Sequence, residues 1–392
     1  MKWQNLKFSK IVNDVTGGQK KIQKKAYLSQ GRIPVIDQGQ QLFAGYTNDE
    51  TALFSKNIPV VLFGDHTRIF KYIDFPFALG ADGVKVLETH DSLLPKFLYY
   101  YCQSIELPSR GYSRHFKFLK NIKIPLPPIS EQRRIVEILE QADRLRKLRA
   151  NADTKAQRIL PASFTKMFGD PATNPMGWNT VLFDEVVEIG TQLVDPNQPD
   201  FLELPHIGGE HIEKETGRIL SPPLVKDSNL LSNKFWFSSD HILLSKIRPY
   251  LNKVAYPRFN GVCSADIYPL KPKNNIVTHW YLLSLLRTQA FLDYAKVHSD
   301  RLRIPKLNKA QLGAFEFPLP DPHLMIAFDE RVKKIISVEN FRFARQEKVG
   351  KLYQLILHRA FTGGLTVSWR KAHLKKLLQE MDRQSNCLET LK

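Results

Sequence analysis

Residues 116–127 read FKFLKNIKIPLP, and residues 309–320 read KAQLGAFEFPLP. Each carries a leucine, a four-residue gap, and then an apolar–Pro–Leu–Pro close. Leu119 falls on Leu312, Ile124 on Phe317 and Pro125 on Pro318, at a constant offset of 193 residues. Phe168 falls on Phe361 at the same offset, so the segment following each close keeps its length. Upstream, Trp3-x4-Phe8 matches Trp178-x4-Phe183, and Ile33-Pro34-Val35-Ile36 matches Leu204-Pro205-His206-Ile207, at offsets of 175 and 171. Matches that keep one order over so long a span mark an internal duplication. The ends of the unit are invariant in length and its middle is not, which describes a rigid frame carrying variable inserts.

Within each repeat, short apolar runs bounded by turn residues predict strands: residues 58–63 and 84–87 in the first, 241–245 and 266–270 in the second. A short helix follows in each, opening at Pro95 and at Thr278. The fold class is mixed α/β (α+β). Two modules are expected, residues 1–127 and 170–320, followed by helices within 128–169 and 321–365 and a tail over 366–392.

Ser130 predicts the N-cap of the helix after the first module. Ile135, Ile138, Leu139, Ala142, Leu145, Leu148 and Ala152 then recur at steps of three and four. Phe328, Val332, Ile335, Ile336 and Val338 do the same after the second module, resuming at Val349, Leu352, Leu355 and Ile356. Neither run meets a Pro or Gly before Pro161 and Gly350, so each extends for about thirty residues, or ~45 Å at the usual rise. An apolar stripe must be buried. The simplest partner is the equivalent helix of the other repeat, packed antiparallel as a coiled coil with a pseudo-twofold axis. FRFARQE, residues 341–347, weakens the second stripe at its middle. A module at each end of such a rod predicts two half-sites on DNA, because ~45 Å compares with ~34 Å per duplex turn.

Lys and Arg number 57 against 39 Asp and Glu, giving a formal net charge of +18. An excess of that size favours a polyanionic partner, since neutralising phosphates releases counterions. The three cysteines, Cys102, Cys263 and Cys387, are widely spaced and odd in number, against both a disulfide framework and a Cys-based zinc site. No apolar run reaches the length of a membrane helix, and MKWQNLKFSK has no signal-peptide core. A cytoplasmic location is expected.

The sequence holds no GxxxxGK[ST] loop and no methyltransferase-type cofactor loop. Asp65 with His66, and His206 with Glu210 and His211, are polar loop residues lacking the rest of a metal-ligand set. The chain is therefore expected not to be an enzyme.

The junction FGDPATNPMGW (168–178) resembles that of the specificity subunits of type I restriction–modification systems. So do IPLPPISEQRRIVEILEQAD (124–143), its degraded copy FPLPDPHLMIAFDERV (317–332), the closing LYQLILHRAFTGGLT (352–366) and the framework stretch SKIRPYLNKVAY (245–256). The resemblance spans Trp3 to Leu365. It implies two target-recognition domains, each reading one half of a bipartite target. It also implies helices that dock two modification subunits, with two restriction subunits in the full complex. Adenine N6 methylation and cleavage, with S-adenosylmethionine, ATP and Mg, would then belong to those partners. On this reading Ile135, Ile138, Leu139, Ala142, Leu145, Phe328, Val332, Ile335, Leu352 and Ile356 form the docking stripe. A free DNA-binding regulator or decoy is the alternative. The tail, with Leu374, Leu377, Leu378 and Met381, is either a short amphipathic helix or a disordered basic end.

Sequence-reading proteins place cations on phosphate and polar or planar groups on base edges. The loops before the IPLP and FPLP strands suit that role. The first carries Arg110, Tyr112, Ser113, Arg114, His115 and Lys117; the second carries Ser299, Arg301, Arg303 and Lys306. Lys246, Arg248 and Tyr250 form the next group, matched in the first module by Arg68.

Overall fold

The computed structural model describes residues 3–81, 83–108, 113–299 and 304–389. The chain forms two compact units: 1–149 with 345–392, and 150–344.

The first unit contains the first module. Gln4–Lys7 pairs antiparallel with Lys123–Leu126, closing the module at its base. Above it, an antiparallel sheet runs in the order Val12–Asp14, Val84–Thr89, Val60–Gly64, Phe70–Ile73. Val60–Gly64 is buried along its whole length, as its unbroken apolar run requires. A smaller sheet places Ile33–Ile36 between Gly45–Thr47, antiparallel, and Ala78–Leu79, parallel.

The second unit repeats this plan. Thr180–Leu182 pairs with Glu316–Pro318. The main sheet runs Val187–Ile189, Ile267–Pro272, Ile242–Ser245, Val254–Ala255. In the smaller sheet His206–Ile207 lies parallel to Gly261–Cys263, as Ile33–Ile36 does to Ala78–Leu79. The matched motifs thus hold matched places in both sheets.

The helices that follow start on their own modules, and their later parts enter the other unit's core: Phe164 and Phe168 the second, Tyr353 and Leu357 the first. The first helix begins at Ile129, one residue before the expected cap, and the amides of Glu131 and Gln132 bond to the Pro128 carbonyl. Ser130 is consequently inside the first turn, where its hydroxyl donates to Glu380. The helix ends at Gln157, and a second runs over Ile159–Phe168. Pro161 stands in the first turn of that second helix, where a missing N–H costs nothing. The later helix runs unbroken over Pro322–Phe361, 40 residues, straight through Gly350. A lone helical glycine costs about 1 kcal/mol, too little to break a helix anchored elsewhere.

Each unit contains an antiparallel crossing of these helices. In the first, Glu131 meets Thr366 and Arg370, while the Arg146 guanidinium lies 4.5 Å from the Tyr353 ring. In the second, Asp153 pairs with Arg342 at 2.9 Å, while Phe164 and Phe168 pack on Phe328. Much of the expected docking stripe is spent here. Ile135 and Leu139 are in the first core, Phe328 and Val332 in the second, all fully buried. Ala142 and Ile356 pack against the first core, and Ile138 and Ile335 are half-buried. Burying such a side chain is worth ~1.5–3 kcal/mol, so the helices bury most of their stripe within the chain. Leu145 and Leu352 remain exposed, at 67% and 55%, beside Leu148 and Leu355.

The tail is helical over Val367–Ala372 and Leu374–Glu389 and belongs to the first unit. Its anchor is Glu131, fully buried. That carboxylate accepts from Trp3 Nε1 (2.9 Å), Thr366 Oγ1 (2.6 Å) and Arg370 Nε (2.7 Å). Leu377 is fully buried, and Gln384 donates to the carbonyl of Ser92.

Candidate nucleic-acid interface

Three loops converge in the first module. The loop following Ile33–Ile36 (37–43) meets the loop following Val60–Gly64 (65–69): Gln38 accepts the His66 amide on Oε1 (3.3 Å) and the Thr67 hydroxyl on its carbonyl (2.7 Å). The second loop meets the described part of the third, 113–115. The His115 amide donates to the Asp65 carbonyl (2.9 Å), and Asp65 Oδ1 accepts the Phe116 amide (2.7 Å).

The second module repeats the convergence. The loop following His206–Ile207 meets that following Ile242–Ser245, through Lys253 Nζ donating to the Gly209 carbonyl and Glu215 N donating to Asn252 O (3.1 Å). That second loop in turn bonds the segment before the Lys309–Gly313 helix, with Leu307 N to Lys246 O (2.9 Å) and Arg248 N to Pro305 O (2.8 Å). Both middle loops hold an exposed arginine in left-handed backbone, Arg68 at φ 61° and Arg248 at φ 48°. That region costs ~1–2 kcal/mol for a residue with a Cβ, and such strain concentrates where a side chain must be aimed.

The expected contact residues divide accordingly. Arg68, Arg114, Arg248, Tyr250 and Lys306 are exposed on these loops, and Lys117 on the short Phe116–Leu119 helix that follows the third. Arg68 also donates to the Leu107 carbonyl at 3.1 Å. Three expectations fail on burial. His115 is wholly buried, its Nδ1 3.0 Å from the Asp65 carbonyl oxygen. Ser299 is buried at a helix end. Lys246 is buried with its ammonium 4.8 Å from the Tyr268 ring, and burial, reinforced by the charge of Lys306, holds its pKa below the usual lysine range. Ser113 is half-buried. Arg110, Tyr112, Arg301 and Arg303 lie outside the described residues.

Asp65 Oδ1 accepts the Phe116 amide, and its neighbour His66 donates its amide to Gln38. In the second module the His211 ring nitrogen accepts the Gly208 amide at 2.9 Å. Burial, with Lys234 nearby, lowers the His206 pKa. Among the described residues no group of three or more His, Cys, Asp or Glu is placed to hold a metal ion, and no helix is long and apolar enough to cross a membrane.

Sequence reasoning missed the first loop of each module and the lysine that holds it. Lys71, buried on the Phe70–Ile73 strand, donates to the carbonyls of Asp37 (2.7 Å) and Gln41 (2.6 Å). Lys253 does the same for Gly209. The matched IPVI and LPHI runs, each followed by a polar turn, were the available signal.

Residues 2–157 match the family described as type I restriction modification DNA specificity domain. Over 208 residues, half of this chain, it is 35% identical to the EcoDI type I restriction enzyme specificity subunit of Escherichia coli; that match spans 44% of the relative's length. Two solved structures share the fold over nearly the whole chain. One is the S subunit of a type I restriction–modification system from M. genitalium, at TM-score 0.55 and 14% identity, covering 92% of this chain and 96% of that one. The other is a chain from a structure concerned with assembly and conformational transition of the type I system, at TM-score 0.51 and 16% identity, covering 93% and 98%. Residues 2–157 thus match the type I restriction modification DNA specificity domain, and the two solved structures show that the fold is shared over nearly the whole chain.

Proposed function

We propose that the whole chain is the DNA-reading subunit of a type I restriction–modification complex, with one module for each half of a bipartite target. The observation that carries this is the repeated loop convergence, with a strained, exposed arginine at its centre in both modules. A single DNA-reading site would not need the device twice; a target in two halves does. The exposed cations supply the phosphate-directed, salt-sensitive part of binding. The exposed leucines Leu145, Leu148, Leu352 and Leu355 offer a surface to modification subunits, which would bring S-adenosylmethionine, and restriction subunits would bring ATP and Mg. Chemistry on DNA then resides in the partners, and the complex works in the cytoplasm.

The test is to delete the gene and sequence host DNA for methyladenine. Loss of methylation at one split motif, restored by the intact chain with its modification partner, is the expected result. Methylation indifferent to the deletion would overturn the reading and leave a free DNA-binding regulator.

A further inference from the structure

We propose that the first loop of each module reads base edges: Gln40 and Gln41 recognise an adenine in one half-site, and Glu210 recognises a cytosine in the other. The inference rests on the DNA-reading assignment above and adds which side chains choose the sequence.

The described parts of the second and third loops expose chiefly cations: Arg68, Arg114, Arg248 and Lys306. Cations suit the phosphates, which are the same at every base pair. The first loops differ in kind. Gln40 and Gln41 are exposed and neutral, with both donor and acceptor. Glu210 is 72% exposed on a loop tied to that of Arg248, where a carboxylate is repelled by phosphate but accepts well from an amine. In the major groove a glutamine side chain matches the N6 and N7 of adenine, and a glutamate accepts from the N4 amine of cytosine.

Both loops are also held ready. Burying an ammonium is costly, and Lys71 is buried deeply enough that its pKa falls. It spends its charge on the carbonyls of Asp37 and Gln41, the two ends of the turn carrying Gln40. Asp37 Oδ1 accepts the Gly39 amide (2.8 Å), and Gln38 ties the turn to the arginine loop. In the second module Lys253 grips Gly209, and the Gly208 amide donates to His211, so that Glu210 sits between two fixed neighbours. Ordering a reading loop before it meets DNA removes that cost from binding. Lys71 on the Phe70–Ile73 strand and Lys253 just before its counterpart, Val254–Ala255, each hold the first loop of their module, which points to one shared task.

The experiment uses the full chain with its modification partner, reading the methylated motif genome-wide. The double variant Gln40→Ala with Gln41→Ala should relax one adenine position in one half-site by roughly ten- to hundredfold and leave the other half unchanged. Glu210→Ala should relax one cytosine position in the opposite half. A variant that no longer supports methylation is read instead by selecting bound duplexes from a randomised pool. Should the motif depend on this chain yet stay unaltered in every variant, the loop assignment fails and the DNA-reading assignment stands. Relaxation at other bases, or of both variants in one half, also overturns it. A motif independent of the chain removes the parent reading itself.

Discussion

Two half-buried histidines of the second module resist protonation. Burial, reinforced by Lys234 beside His206 and Lys271 beside His241, holds both below the ordinary imidazole value of 6.5. Their stabilising contribution is therefore complete above pH 6.5. As pH falls from there toward the folded pKa, the unfolded chain takes up protons that the folded one refuses, and stability is lost. We expect the thermal midpoint to drop between about pH 7.5 and about pH 5.5, and the double variant His206→Gln with His241→Gln to flatten that slope. A midpoint that rises on acidification would contradict the lowered pKa of these two side chains. Burial also explains why contact residues were only partly legible in sequence. Composition marks a loop as cationic or polar, but whether His115 or Lys246 faces out depends on what lies above it. Neither a spacing nor a charge count contains the Tyr268 ring beneath the Lys246 ammonium.

Among elements, the tail shows how a buried ion pair docks helices. Glu131 lies in the first turn of the Ile129–Gln157 helix and meets Arg370 of the tail, with Thr366 and Trp3 completing its bonds. Removing one partner leaves a charge buried without compensation, a cost of about 3–5 kcal/mol. Arg370→Leu should therefore lower the urea unfolding free energy by about that amount, while the paired change Glu131→Leu with Arg370→Leu should cost less than the single one. A double loss equal to the sum of the two single losses would mean that the pair is not coupled. The long helices themselves were legible from periodicity alone, because an apolar stripe at three and four spacing has few alternative meanings. Their partner was less so. A stripe states that it must be buried, and Ile135 and Phe328 found their own modules before any other subunit. The tail offered two open readings because neither Glu131 nor Trp3 advertises a contact more than a hundred residues away.

The duplication was the most legible feature of the molecule, since IPLP and FPLP close both modules at matched places in the base pairing. What it hid was the first loop, where the two repeats share a backbone position and no side chains. With one module assigned to each half-site, replacing residues 1–127 by the equivalent module of another family member should change one half of the methylated motif and leave the other half intact. A simultaneous change in both halves, read by methyladenine sequencing, would show that the modules do not act separately. The Lys71 clamp bears on how such proteins diversify. Because it grips main-chain carbonyls and pairs with no side chain of the turn but that of Asp37, it does not depend on what stands at positions 40 and 41. Positions 40 and 41 can mutate without loosening their support, so a lineage can acquire a new DNA preference by single substitutions while inheriting the frame unchanged.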